Sequence, residues 1–253
     1  GQFIELMPEH PMSFNPFTDI KTDEQLFYEL DFLASFVYTL GASRNHAKSE
    51  EEAKYIEQHI QTAIKNIFAK SSESNPMSIT DIRDYLAKEN DKRLKDFAVQ
   101  MGSFCKGGVF GSFFDGPNEI NFDKDIVVLE IDGIDNLSPD IRDAIISVFI
   151  YKVSQYIYIQ NIELRRTLLV IDEAHKFIGK DNRKMDLFVE QAYRRFRKHN
   201  GAIAMATQGF GDIYNKDNPA LARLGTSIVD NSKWTFFFQQ KASSIDIIAG
   251  SDA

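Results

Sequence analysis

The chain has 253 residues, with 29 Lys+Arg against 37 Asp+Glu for a net charge of −8, 43% apolar and 26% charged content. This is ordinary globular composition, which excludes collagen, coiled-coil rods and long disorder, and the acid excess argues against a generic polyanion binder. A lone cysteine, Cys105, excludes a disulfide framework and suggests a reducing cytosolic setting, while the longest apolar stretch, Ala144–Tyr151, is far short of the roughly 20 residues of a membrane span.

In chain order, Gln2–Leu6 reads as a short strand or an extended arm. Thr22 with Gln25 forms a capping box ahead of Leu26, Leu30, Leu33 and Val37, and Gly41 is expected to close that helix. A polar link over 42–50 leads to a second amphipathic helix carrying Ile56, Ile60, Ile64 and Ile67. Ser71–Pro76 is a loop, and Ser78 and Asp91 start two shorter helices. No convincing strand falls between Thr22 and about Phe104, so residues 22–104 are expected to be an inserted helical subdomain, and glycine-rich Met101–Gly111 a flexible link out of it.

Beyond that link the pattern changes. Continuous apolar runs at Ile126–Ile131, Thr167–Asp172, Ala202–Thr207 and Lys233–Gln239 look like parallel strands buried on both faces. Between them lie two helices. One starts at Ser138 and Pro139 and runs to about Gln160, burying Ile141, Ala144, Ile145, Val148 and Phe149. The other spans about Lys184 to Lys198 on Met185, Val189, Ala192, Tyr193 and Phe196, with Gly201 after it. Strand alternating with helix predicts an α/β fold with an open, mostly parallel sheet. Residues 1–21 would begin that core, and 105–253 complete it around the insertion.

Two strand ends carry the chemistry. In a parallel α/β sheet, ligands bind off the carboxyl ends of the strands. Asp172 and Glu173 follow the run Leu168–Ile171 at such an end. An aspartate there can hold Mg²⁺ through water, and the adjacent glutamate can orient and deprotonate an attacking water. Thr207 and Gln208 end the next run, where the amide could touch a γ-phosphate or the same water. Solvated acids and polar caps are common at strand ends, so each pair alone is compatible with a purely structural role. Residues 165–200 hold ten Lys+Arg and five Asp+Glu, and Arg194, Arg195 and Arg197 could steady phosphate charge locally or across a subunit boundary. A solvated helix end explains them equally well. No G-x-x-x-x-G-K-[ST] phosphate loop occurs, so the chain by itself is expected to bind nucleotide poorly.

Taken in order, Phe14–Phe17 (FNPF), Gly107–Gly116 (GGVFGSFFDG), Leu168–Ile178 (LLVIDEAHKFI), Tyr193–Ile213 (YRRFRKHNGAIAMATQGFGDI) and Ser232–Gln240 (SKWTFFFQQ) make a specific set. It resembles the large conjugative or type IV secretion ATPases of the VirB/TraC type, within the HerA/FtsK group of RecA-like motors. The resemblance implies a RecA-like P-loop NTPase fold using ATP and Mg²⁺. It makes Asp172 and Glu173 the Walker B pair, with Asp172 holding Mg²⁺ through water. Gln208 becomes the sensor, beside Thr207, and one of Arg194, Arg195 and Arg197 a finger acting in trans. In that family the phosphate loop precedes the NPF segment, so the sequence is expected to be a carboxy-terminal piece that begins after it. The implied parent is a homo-oligomer, commonly a hexamer, on the cytoplasmic side of the bacterial inner membrane. It would work with channel components and the coupling protein in pilus assembly and in transfer of DNA or protein. Two rivals remain: a DEAH-box-like helicase, because Asp172–His175 spells D-E-A-H, and a non-hydrolysing scaffold.

Overall fold

The computed structural model describes residues 1–7, 12–42, 49–72, 75–120, 122, 124–134, 136–157, 165–176, 178, 186, 189–190, 192–194, 196–214, 218–239, 245 and 248. Two compact units divide it, Gly1–Tyr151 and Lys152–Ala253.

In the first unit, β1 (Gln2–Glu5) pairs in parallel with β2 (Val127–Glu130), Gln2 opposite Val127 and Glu5 opposite Glu130. Parallel neighbours need a long crossover. Here it contains α1 (Asp23–Gly41), α2 (Glu50–Phe68), α3 (Ile79–Lys88), α4 (Lys92–Gln100) and the single turn α5 (Gly111–Phe114). α1 starts where Thr22 accepts a hydrogen bond from the Gln25 amide while the Gln25 side chain reaches back, which satisfies two otherwise orphaned donors. Ser78 with Asp81 does the same for α3, and Asp91 caps α4. The core is strongly aromatic: Phe14, Phe36, Phe97 and Phe114 are fully buried, and Phe32 stacks on Tyr151 at 4.2 Å between centroids.

The FNPF segment contributes to this unit in two ways. Phe14 and Phe17 enter the core, while buried Asn15 donates to the Met77 carbonyl and accepts from the Phe17 amide. One polar side chain thus ties the amino-terminal segment to the approach to α3.

Several expectations need correcting. Gly41 does end α1, but its specific demand is for space: a Cβ there would lie 2.5 Å from the Phe97 ring on α4. Met101–Gly111 is pinned. The Lys106 amide donates to Thr80 Oγ1 and Asp115 Oδ2, each at 2.8 Å, and Asp115 also accepts from the Thr80 amide at the start of α3. Within it, Gly107 has φ +83, a conformation that needs glycine.

In the second unit, β3 (Thr167–Ile171) and β4 (Gly201–Met205) pair in parallel, Thr167 opposite Gly201 and Ile171 opposite Met205. α6 (Pro139–Gln155) straddles the division between the units, and the last residues of the helix expected to reach Gln160 lie outside the described set. Of the helix expected over 184–198, Asp186, 189–190 and 192–194 are helical and Phe196–His199 is a 3-10 turn; Lys184, Met185 and Arg195 lie outside the described residues.

The strands do not bury both faces. Leu168 and Val170 are 62% and 61% exposed, since no described helix covers the face they share with Ala202 and Ala204. Lys233–Gln239 is no strand: its described backbone has no ladder partner, and Trp234, Phe236 and Phe238 are exposed. The sequence reading missed α7 (Pro219–Asn231), although Asn218 caps it, Pro219 occupies its first turn and Leu224 and Ile228 are buried one turn apart. Among the described residues no helix is long and apolar enough to cross a membrane.

Candidate functional site

The β3–β4 ladder slips by one residue where it reaches the acidic pair. Met205 faces Ile171, and the Ala206 amide donates to the Ile171 carbonyl at 2.9 Å. A regular parallel ladder would next bring the Glu173 amide to the Ala206 carbonyl. Instead the Ala174 amide makes that bond, at 2.9 Å. The extra residue forces a bulge, and Glu173 takes φ +46, in the left-handed region that disfavours a side chain. Its displaced amide is satisfied by Asp172 Oδ1 at 2.8 Å, and a 3-10 turn over Ala174–Lys176 follows.

This bulge directs the Glu173 carboxylate towards the neighbouring strand end. Gln208 Nε2 donates to Glu173 Oε1 at 3.3 Å, and Lys176 Nζ sits 2.7 Å from Oε2. The Lys176 hydrogen bond and charge, then Gln208 and the nearby His175, hold the Glu173 carboxyl below its usual range, so it is ionised at neutral pH. Asp172 is exposed beside it and Thr207 is half-buried on the same rim. Asp172, Glu173, Thr207 and Gln208 therefore share one end of the strand pair. Lys176 was not singled out from sequence, although its position three residues after Glu173 in a tight turn was a usable signal.

The two described arginines lie elsewhere. Arg197 belongs to the 3-10 turn that leads into the first residue of β4, at the rim opposite Gln208. Seven residues of strand-like rise separate Gly201 from Gln208, on the order of 20 Å. Arg194 is bound at 3.1 Å to Glu190, which also meets Arg223. Arg195 lies outside the described residues. Neither described arginine joins Glu173.

The donors suit a hard cation held at one corner. Asp172 offers one exposed carboxylate, and no group of three or more metal-ligating side chains forms among the described residues. Mg²⁺ commonly binds through one or two carboxylates, water and substrate phosphates, so a single aspartate fits that role and does not fit an all-protein cage. The sequence offers no phosphate-loop motif to cradle the nucleotide.

Parallel strands with an acidic pair and an amide gathered at one end belong to the architecture of a RecA-like P-loop NTPase fold. The chain belongs to the TraG P-loop domain family, whose model matches residues 1–244. It is 26% identical over 183 residues to protein TraC of Escherichia coli strain K12, an alignment covering 68% of this chain and 20% of TraC. It thus spans about a fifth of that relative's length. The structure of VirB4 of Thermoanaerobacter pseudethanolicus is similar in fold, with a TM-score of 0.75 at 19% identity over 98% of this chain and 67% of VirB4.

Proposed function

We propose that the chain is the Walker B half of an ATPase motor domain from a conjugative or type IV secretion system, coupling ATP hydrolysis to pilus assembly and to transfer of DNA or protein. The observation that carries this reading is the hydrogen bond from Gln208 to Glu173, a sensing amide on a hydrolytic carboxylate across two strands. Asp172 would hold Mg²⁺ through water, and the ion when bound would supply positive charge that offsets developing phosphate charge. Glu173 orients the attacking water and accepts its proton, with Lys176 and Gln208 fixing the carboxylate. Gln208 and Thr207 face the γ-phosphate. One of Arg194, Arg195 and Arg197 completes the site of a neighbouring copy in a homo-oligomer, commonly a hexamer. That placement suits the distance between Arg197 and Glu173 within one copy. The assembly works at the cytoplasmic face of the bacterial inner membrane with channel components and the coupling protein.

Because the 253 residues contain no phosphate-loop motif, we assign turnover to a longer natural protein and little hydrolysis to this chain alone. The test compares MgATP turnover of that longer protein with its Glu173→Gln variant. The expected result is a fall of at least about 100-fold with ATP binding retained. Turnover equal to the parent's would support the non-hydrolysing scaffold instead. Membership of the TraG P-loop domain family supports this reading over the DEAH-box helicase.

A further inference from the structure

Charge is divided unequally along the chain. Residues 1–151 hold 14 Lys+Arg against 26 Asp+Glu, whereas residues 152–253 hold 15 against 11. Each half also concentrates its sign on an exposed feature away from the Glu173 rim.

On the acidic half, the outward side of α1 carries Glu24, Phe27, Tyr28 and Asp31 at i, i+3, i+4 and i+7, a single stripe. Phe27 and Tyr28 are 73% and 72% exposed and meet edge to face at 5.6 Å. Two large aromatic rings held in water between acids make a surface suited to a cation: the ring faces attract it and the carboxylates pair with it. On the basic half, the register of β3 and β4 gathers two cationic pairs that are distant in sequence. Arg165 and Arg166 precede β3, Arg197 and Lys198 precede β4, and the Thr167 amide donates to the Asn200 carbonyl between them at 3.1 Å. All four are exposed, on the rim opposite Glu173.

We propose that the acid–aromatic stripe of one copy docks on the Arg165, Arg166 and Lys198 rim of a second copy. The occupant follows from complementarity of sign within the chain itself. The net acidity of the protein disfavours a free polyanion as the rim's partner, whereas the stripe presents the matching charge together with apolar anchors. The contact is heterologous, because stripe and rim are different patches. Copies therefore join head to tail, which closes into a ring or propagates, and does not stop at a two-fold dimer. This deepens the oligomeric part of the reading above and requires no hydrolysis, so either can fail without the other.

The test is sedimentation velocity of the protein across a concentration series at low and high salt. The parent should form species larger than a dimer, weakening as salt rises. Glu24→Lys with Asp31→Lys should raise the dissociation constant at least about 100-fold, and so should Arg165→Glu with Arg166→Glu and Lys198→Glu. In an equimolar mixture of the two reversed proteins both junctions between unlike copies are complementary, so it should recover alternating assemblies larger than a dimer. The protein carrying both reversals should recover the parent's assembly. Far-UV circular dichroism checks that each variant is folded, and a milder pair, Phe27→Ser and Tyr28→Ser, should weaken assembly without altering charge. Monomers at every concentration in low salt would overturn the proposal. So would association that ignores the reversals, or rim variants that lose binding to duplex or single-stranded DNA while assembling as the parent does.

Discussion

Phe114 tests whether the glycine-rich segment is a structural pin. Its side chain is fully buried on α5, just after the segment, with ring centroids 5.9 Å from Phe36 on α1, 5.8 Å from Phe104 and 6.3 Å from Phe113. Replacing a buried Phe by Ala costs about 3–5 kcal/mol, through lost transfer free energy and the cavity left behind. Three aromatic neighbours, themselves fixed by other contacts, limit collapse into that cavity, so Phe114→Ala should cost about 4 kcal/mol. With a urea slope of about 2 kcal/mol/M, the midpoint should fall by about 2 M. Phe114→Leu keeps most of the volume and loses the edge contacts, for a cost of about 1–2 kcal/mol. Two probes make the assay selective. Far-UV circular dichroism follows the long helices of residues 1–151, whereas fluorescence follows Trp234, the sole tryptophan, in the other unit. The circular dichroism transition should carry the loss. A drop below about 1 kcal/mol for Phe114→Ala would refute the pin, because it would mean that the site collapses freely.

Glu173 offers a test by sign. At an ordinary helix or strand position Ala is more stable than Gly, but at φ +46 the order reverses, so Glu173→Gly should unfold at higher urea than Glu173→Ala. Since both lose the same carboxylate, equal or opposite ordering would remove the bulge as the cause. Asp91 caps α4 and is held well below the usual carboxylate range by Arg93, with the Arg93 amide and Tyr55 hydroxyl also donating to it. A depressed carboxyl stabilises above its ordinary value of 3.8 and loses that contribution as pH falls through its folded value. Asp91→Asn should therefore unfold more easily than the parent at neutral pH, with the gap narrowing steadily below 3.8 in acid titrations. Burial pushes the Cys105 thiol up to about 11, so a thiol reagent at mildly alkaline pH should label the native protein far more slowly than the unfolded one. The same shift predicts stability that falls as pH rises from the ordinary 9.0 towards about 11.

Much of the helical architecture was legible because its signals are local. Thr22 with Gln25, Ser78 and Asp91 each fix a helix start through a bond spanning two or three residues, and the apolar spacing of Ile56, Ile60 and Ile64 needs no distant partner to be read. α7 carries equally local signals in Asn218, Pro219, Leu224 and Ile228, next to an apolar run whose composition suggests a strand. That run shows the limit of such reading. Lys233–Gln239 has the composition of a strand, but a strand exists only when another backbone takes its donors and acceptors, and sequence periodicity contains no record of that partner.

The site divides along the same line. A carboxylate pair after one apolar run and an amide after another are visible as letters, and parallel pairing is enough to bring them to one rim. What joins Glu173 to Gln208 and Lys176 is the one-residue slip between Ala174 and Ala206, a tertiary event that turns the Glu173 backbone into a strained conformation. The slip also makes sense of the order Asp-Glu. The first acid, still next to the regular ladder, stays exposed and accepts the displaced Glu173 amide, while the second is swung across the strand pair onto the Gln208 amide. Two adjacent residues thus acquire different surroundings from one hydrogen bond made a residue late.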